Sequence, residues 1–282
     1  MVYLNGEQFD AAPLINAYPA NAIERTILAQ MTQSGDTFRF KSEDALKFEV
    51  NLRAKTAEAA QALNRSGMDF AVFHQSRCNE AYWVRKDNGG FLLREGASPA
   101  AAIRDIFQNG RKYGTECATA MVIVFYGALL NVYGDTLFNR TFPSIYLMNW
   151  NRMDPLLQSV GIPKDVQSLI IGDRGYFNNP DVNPQTPEWQ GENVIVLPGG
   201  LYYGHGIGIA TAKNIIAALN GNRKDGAQRT AYLMDAAGRP NYNELYRQYA
   251  AFTPSPQPTA RRSAALNWPP FPAPRRGARS GV

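Results

Sequence analysis

The sequence contains little cysteine and little histidine. Among its 282 residues there are two of each, at Cys78, Cys117, His74 and His205. Two cysteines exclude a scaffold held together by several disulfides, and a structural zinc site would need nearly all four side chains from scattered positions. We therefore expect no bound metal and a reducing compartment, the cytoplasm.

Charged residues are also scarce, at 19% of the chain, and the positive excess lies at one end. The chain has 29 Lys and Arg against 24 Asp and Glu, a net charge of +5. Five arginines and no acidic residue fall within residues 253–282, so the remainder carries 24 charges of each sign. The folded part is electrically neutral, and we predict that it requires no nucleic acid as a partner.

No apolar run is long enough to predict a membrane span. The longest, around residues 118–130, falls short of the roughly 20 residues that cross a bilayer. The sequence does not open on a basic segment followed by an apolar stretch, so we predict no secretory signal. Hydrophobic residues make up 45% of the chain, which is enough for a sizeable buried core.

The C-terminal tail, residues 253–282, holds seven prolines and five arginines. Such a composition cannot bury enough apolar surface to fold, so we predict that the tail is disordered and that residues 1–252 form the folded domain. A solubilising extension is the favoured interpretation. The alternative is a weakly adhesive arm for an acidic surface or nucleic acid.

Apolar periodicity predicts an amphipathic helix over residues 42–64, capped by Ser42 and stopped by Gly67. Residues 116–132 are apolar on every side, which predicts a central helix surrounded by other elements. Further helices are expected at 98–109, 212–219 and 243–251, and strands at 70–73, 81–84, 91–93, 144–149, 168–171, 193–197 and 201–203. This order predicts an α+β or mixed α/β layer fold around one core.

Cys117 is the candidate nucleophile. It begins the central helix directly after a loop with two glycines and the cations Arg111 and Lys112. A helix N-terminus carries about half a positive charge, which would lower the pKa of the thiol. The alternative is a small buried apolar residue, the usual role of a free cysteine. Cys78 lies in a polar loop without an apparent activator and is taken as incidental.

The residues alone leave two candidates for the proton acceptor of this thiol, a histidine and a carboxylate. His205 follows a predicted strand and is flanked by glycines, whereas His74 ends an apolar segment and is expected to be half-buried. Glu192 begins the strand predicted at 193–197, and a carboxylate is the alternative base. A glutamate at a strand end is more often solvated than catalytic.

Several separated motifs carry a resemblance to one family. They are Arg104-Asp-Ile, Tyr113-Gly-Thr-Glu-Cys-Ala-Thr-Ala-Met-Val-Ile-Val, Trp189-Gln-Gly-Glu-Asn-Val-Ile-Val-Leu, Tyr203-Gly-His-Gly-Ile-Gly-Ile and Gly226-Ala-Gln-Arg-Thr-Ala-Tyr-Leu. Over about residues 1–233 the chain resembles the spore-type bacterial protein-glutamine gamma-glutamyltransferases, or transglutaminases. The resemblance implies an α+β, NlpC/P60-like (papain-like) core with a nucleophile-bearing central helix packed on a mainly antiparallel sheet.

The resemblance also implies roles for individual residues. Cys117 would be the nucleophile, Glu192 its principal partner, and Glu116, next to the cysteine in the chain, a second catalytic carboxylate. Six further positions match residues that line the active-site passage of the family: His205, Trp150, Trp189, Tyr176, Asn193 and Phe70.

The implied activity is protein cross-linking without calcium or any cofactor. The thiolate attacks a glutamine side chain, ammonia leaves, and a lysine amine takes the acyl group from the thioester. Backbone N–H groups at the start of the central helix are the expected oxyanion donors. We expect protein substrates and a monomer without a membrane span. The resemblance also implies a role in sporulation, at a spore or cell-surface layer.

A carboxylate base is unusual because the ordinary pKa values of Cys and Glu differ by about four units. We expect the helix N-terminus to lower the thiol pKa and burial to raise the carboxylate pKa, which would bring the two together. Two alternatives remain on sequence alone. One is a cysteine amidase or peptidase of the same broad fold; the other is a non-enzymatic coat or interaction protein.

Overall fold

A computed structural model describes residues 1–150 and 152–252 of the protein. The predicted disorder of the tail, residues 253–282, therefore falls outside the described residues. The helices in the described part are α1 (Ala12–Ala17), α2 (Ile23–Gln33), α3 (Glu43–Ser66), α4 (Pro99–Gln108), α5 (Cys117–Thr141), α6 (Ala212–Asn220) and α7 (Tyr242–Phe252).

The strands are short, and most belong to small ribbons around the core. In chain order they are β1 (Val2–Leu4), β2 (Glu7–Gln8), β3 (Phe38–Phe40), β4 (Asp69–Phe70), β5 (Trp83–Arg85), β6 (Phe91–Leu93), β7 (Gly114–Thr115), β8 (Tyr146–Leu147), β9 (Lys164–Asp165), β10 (Arg174–Asn178), β11 (Gly191–Val196), β12 (Leu201–Gly204), β13 (Gly208–Thr211), β14 (Tyr232–Leu233) and β15 (Ala236–Ala237).

Helix α3 begins and ends where its sequence predicts. The Ser42 hydroxyl accepts a hydrogen bond from the N–H of Ala45, and Gly67 ends the helix in the left-handed region with φ 77°. Its alanine-rich side is buried and packs closely on α5, because small side chains let two helix backbones approach.

Helix α5 is the centre of the molecule, as predicted, and is longer than predicted. It continues to Thr141 across a non-helical residue, Gly134 (φ 69°). By length and composition alone it could cross a membrane, but 78% of its most apolar window is buried inside the protein. Burial of this extent is typical of the core helix of a globular domain.

The main sheet has five strands in the order β13, β12, β11, β10 and β14, and every neighbouring pair is antiparallel. Strand β11 lies in the middle and packs against α3 and α5. The predicted arrangement, a central helix on a mainly antiparallel sheet, is confirmed. The register places Tyr176 opposite Asn193 and Arg174 opposite Ile195.

The strand predicted at 168–171 is wrong. Ile170 and Ile171 are fully buried, but they lie in a loop that turns at Gly172 (φ 86°). The Asp173 carboxylate accepts a hydrogen bond from the N–H of Ile170 and holds this turn. The strand follows the turn as β10. The strand predicted at 70–73 is likewise reduced to β4, followed by a short 3₁₀ turn at Phe73–Gln75.

A buried ionic cluster fixes the start of β10. Asp173 is inaccessible to solvent and pairs with Arg53 of α3 at 2.6 Å and with Arg239 at 2.8 Å. Arg53 also pairs with Glu49 at 2.9 Å. Burial by itself would raise the pKa of Asp173, but the two guanidinium groups hold that pKa below its ordinary value. The cluster joins α3 to the strand that carries Arg174 and Tyr176.

Candidate active site

Cys117 is the first residue of α5, two residues after β7. Strand β7 pairs in parallel with β4, and this pairing fixes the chain just before the helix. The thiol is partly exposed, and the side-chain amide of Asn193 donates a hydrogen bond to Sγ at 3.4 Å. The start of the central helix therefore places its cysteine against the start of β11.

Glu116 caps α5 with its own side chain. Its carboxylate accepts the N–H of Ala118 at 2.5 Å, the N–H of Thr119 at 2.8 Å and the hydroxyl of Thr119. These are donors that a helix start leaves free and that we expected to serve Cys117 and the oxyanion. Two of the expected oxyanion donors are thus occupied by Glu116.

The prediction that the helix N-terminus lowers the pKa of Cys117 is wrong. Burial raises that pKa, and the negative charges of Glu192 and Glu116 raise it further. The hydrogen bond from Asn193 acts in the opposite direction and is outweighed. Because burial disfavours the thiolate and the two nearby carboxylates add to this effect, Cys117 rests as a thiol at neutral pH.

Glu192 is the second residue of β11 and only 6% of its surface is exposed. Its Oε1 atom is buried and forms no hydrogen bond with any described residue. Burial raises the pKa of Glu192 well above its ordinary value, and the charge of Glu116 adds to the effect. This part of the prediction is confirmed. A poorly solvated carboxylate is a strong proton acceptor. Burial raises the pKa of Glu116 as well, but its three hydrogen bonds stabilise its charge and offset part of this effect.

His205 has both ring nitrogens engaged away from the thiol. Nε2 lies 3.1 Å from the carbonyl oxygen of Asp69, which can only accept, so Nε2 carries the proton. Nδ1 lies 3.0 Å from the Tyr203 hydroxyl and accepts from it. Burial lowers the pKa of His205 to about 4. His205 is therefore neutral at pH 7 and ties the region after β12 to β4.

This neutral histidine makes the fold sensitive to acid. Below pH 6.5 the unfolded chain takes up a proton that folded His205 accepts only near its pKa of about 4. The free energy of unfolding should therefore fall as the pH decreases across this window, by about 3 kcal/mol for a shift of this size. Urea titrations between pH 7 and 4 measure the effect.

His205→Gln should remove this decrease, because the glutamine amide does not titrate. The exposed His74 provides the matched control, His74→Gln, which should keep the acid response of the wild type. An unchanged pH dependence in His205→Gln would contradict the assignment.

Of the remaining residues predicted to line the passage, three lie near residues of the site and one packs elsewhere. Tyr176 lies close to the thiol: burial raises its pKa to about 12, and the charges of Cys117 and Glu192 contribute. The exposed ring of Phe70 lies 6.2 Å from the His205 ring, and the Trp150 ring lies 4.8 Å from the Arg174 guanidinium carbon. Trp189 packs instead on the smaller apolar cluster around Phe177, Val194 and Ile215.

The sequence did not predict a place in the site for three residues that lie near it: Arg174, Tyr203 and Gly204. Arg174 was missed because Asp173-Arg174-Gly175 reads as a polar turn, although Arg174 and Tyr176 alternate with Gly175 as a strand requires. In the part of the chain that the structure describes, no cluster of three or more His, Cys, Asp or Glu side chains is arranged to hold a metal ion.

Known proteins share both the sequence and the fold. A sequence model of the protein-glutamine gamma-glutamyltransferase family matches residues 1–249. A protein of that name from Bacillus cereus is 43% identical over 239 residues, which are 84% of this chain and 85% of the relative. One from Bacillus anthracis is 44% identical over 227 residues, 80% of this chain and 81% of the relative.

A solved structure agrees with these relatives. The transglutaminase of Geobacillus stearothermophilus, without its C-terminal extension, superposes with a TM-score of 0.70 and 45% identity. The match covers 74% of this chain and 98% of that structure. With a partly buried thiol near a buried carboxylate and matches of this extent, the chain belongs to the protein-glutamine gamma-glutamyltransferase family and is an acyltransferase that acts on protein glutamine side chains.

Proposed function

We propose that Cys117 forms the acyl-enzyme of this transglutaminase, that Glu192 moves its protons, and that Glu116 holds the start of α5. The observation that carries the proposal is the contrast between the two carboxylates. Glu116 is saturated with hydrogen bonds, whereas the Oε1 atom of Glu192 has no partner among the described residues. Of the two, only Glu192 has a buried oxygen without a hydrogen-bond partner among the described residues, and its charge acts on the Cys117 thiol.

Acylation starts from the thiol because the pKa of Cys117 is raised. The S–H proton passes to Glu192 as sulfur attacks the carbonyl carbon of the glutamine side chain. The tetrahedral intermediate collapses when Glu192 returns the proton to the leaving nitrogen, and ammonia departs. The remaining N–H at the helix start, that of Cys117 itself, and the Asn193 amide are the proposed donors to the oxyanion.

Deacylation repeats these steps in reverse with a lysine amine in place of ammonia. The amine attacks the thioester carbonyl and gives a proton to Glu192. Collapse releases the isopeptide, and the proton restores the Cys117 thiol. Tyr176, Trp150 and Phe70 are proposed to line the passage for the lysine side chain and to exclude water, which would otherwise hydrolyse the thioester.

A cysteine amidase or peptidase with a histidine base is the competing function. It would need a histidine nitrogen free to accept the thiol proton, and His205 uses both of its nitrogens elsewhere. The geometry therefore favours transfer through a carboxylate over hydrolysis through a histidine.

The test compares the two products of one substrate. The protein is incubated, without added calcium, with a glutamine-rich protein and a fluorescent primary amine, and both labelled isopeptide and free glutamate side chains are measured by mass spectrometry. Labelled isopeptide in excess supports the proposal. Glutamate alone would support a hydrolase, and neither product would support a non-enzymatic protein.

Gly204 should matter for activity because its lack of a side chain makes room for Glu192. A Cβ atom at this position would lie 2.7 Å from Oε1 and 2.8 Å from Cγ of Glu192. Gly204→Ala should therefore displace the carboxylate and reduce kcat roughly ten- to hundredfold. Amine incorporation under saturating substrate measures the change.

The control for this substitution is Gly221→Ala at the end of α6. There an added Cβ would make only ordinary contacts, the nearest at 3.4 Å, so kcat should stay near the wild-type value. Equal activity of Gly204→Ala and the wild type would show that the position of Glu192 tolerates displacement.

A further inference from the structure

Arg174 is a buried cation on the face of the sheet that carries the site. It is 4% exposed and lies at the first position of β10. Side chains alternate along a strand, so Arg174 and Tyr176 point to the same face, which they share with their antiparallel partners Ile195 and Asn193. Asn193 donates to Cys117, and therefore Arg174 faces the nucleophile's side of the sheet.

The guanidinium is held in one orientation. Nε and Nη2 donate to the carbonyl oxygen of Val160 at 3.2 Å and 2.9 Å, and the guanidinium carbon lies 4.8 Å from the centre of the Trp150 ring. A planar cation fixed by two parallel donors and one aromatic face loses little freedom when an anion forms nearby.

Arg174 pairs with no carboxylate among the described residues. Arg53, which is also buried, pairs with Glu49 and Asp173, and the half-buried Arg239 pairs with Asp173 and Asp36. Burial lowers the pKa of Arg174 to about 10, while the charges of Tyr176 and Cys117 act to raise it. A buried cation without a counter-ion is costly in the resting protein, so its presence calls for an anion elsewhere in the reaction cycle.

We propose that Arg174 is a positioning residue whose charge favours the negative charge that develops on Cys117, in place of the helix N-terminus that Glu116 occupies. This inference rests on the proposed function of Cys117. The interaction is reciprocal: if a thiolate favours charged Arg174, then charged Arg174 favours the thiolate. Arg174 also stacks on Trp150 and so orients this ring, which is proposed to line the amine passage.

The test measures the thiolate directly. In a Cys78→Ala background, so that one thiol remains, alkylation of Cys117 by iodoacetamide is followed by intact mass from pH 6 to pH 10.5. Arg174→Met fills the same space without charge, and Arg174→Gln keeps a donor for Val160; a buried charge replaced by an apolar residue of similar volume commonly leaves a protein folded. Arg174→Lys keeps the charge but loses the planar fork and the stacking.

We expect the alkylation profiles of Arg174→Met and Arg174→Gln to move to higher pH, with rates roughly tenfold lower at pH 8, since one pKa unit changes the thiolate fraction tenfold. Arg174→Lys should keep the wild-type alkylation rate at pH 8 and raise KM for the amine more than it lowers kcat. Arg247→Gln, an exposed cation of α7, is the control for loss of one positive charge and should match the wild type.

A wild-type alkylation rate at pH 8 in both uncharged variants, with thermal unfolding temperatures near that of the wild type, would overturn the inference. The same experiment separates the inference from the proposed function. Cys117-dependent amine incorporation with unchanged alkylation rates would leave the proposed function standing and remove the role of Arg174. Lower alkylation rates without any amine incorporation would support the role of Arg174 and contradict the proposed function.

Discussion

Cys117→Ala should reduce amine incorporation to the background of the assay, while Cys78→Ala retains most of the activity. Cys117 is the thiol that lies beside a buried carboxylate with a free oxygen, and Asn193 holds its sulfur. Without sulfur no thioester forms, and the remaining groups cannot split the reaction into two steps. Incorporation of a fluorescent primary amine into a glutamine-rich protein measures both variants.

Cys78 is the matched control because it too is partly buried and has a raised pKa, of about 11. Loss of activity in both variants, with both folded by circular dichroism, would show that the nucleophile is wrongly assigned. Trapping of the acyl-enzyme adds a second measurement: a thioester adduct should appear in the mass of Cys78→Ala and be absent from that of Cys117→Ala.

Glu192→Gln should lower kcat on the order of a hundredfold or more, the usual loss when a general base is removed. Glutamine preserves the shape of the side chain and cannot accept the thiol proton. The folded state should not suffer, because the buried carboxylate is costly to ionise in the wild type. The substitution should therefore cause a large decrease in kcat and only a small change in the thermal unfolding temperature.

Glu116→Gln separates the two carboxylates. It weakens a helix cap worth about 1 kcal/mol and leaves the basic oxygen of Glu192 in place, so we expect reduced stability and a smaller loss of rate. Near-normal activity in Glu192→Gln with a dead Glu116→Gln would reverse the roles. The exposed Glu188, close by in the chain, supplies the control Glu188→Gln, which should behave as the wild type.

The sign of the pH dependence follows from the same carboxylate. The reaction needs Glu192 without its proton, and the pKa of Glu192 is raised, so wild-type activity should fall with decreasing pH well above the ordinary titration range of a glutamate. Glu192→Gln should lose this acid limb and retain only a low, flat rate.

Local signals in the sequence were sufficient for the elements that local interactions form. The Ser42 cap and the Gly67 stop predicted α3 to within two residues, and the continuous apolar segment after Cys117 predicted the central helix. Strand β10 was not predicted because Phe177 is the only one of its five residues that belongs to the apolar core. Arg174 and Tyr176 face Cys117, and a polar strand of this kind has no apolar alternation to reveal it.

The positions of the site residues were easier to predict than their electrostatics. The resemblance placed Cys117, Glu192 and Asn193 together, and the structure brings them together. The direction of the Cys117 pKa shift depends first on how far the thiol is buried and then on the charges of Glu192 and Glu116, and the sequence shows neither the burial nor the distances. The Glu116 side chain adds to the shift because it accepts free N–H groups at the start of its own helix.

Burial of Cys117 close to Glu192 and Glu116 also has a consequence for the durability of the enzyme. Peroxide oxidises thiolates far faster than thiols, first to sulfenic acid and then irreversibly. A cysteine that rests protonated and ionises only while a substrate is being attacked offers little thiolate to oxidants between turnovers. Cys117 should therefore be oxidised slowly by hydrogen peroxide at neutral pH, with a rate that rises as the solution becomes alkaline, and the enzyme should remain active where no cellular reductant protects it.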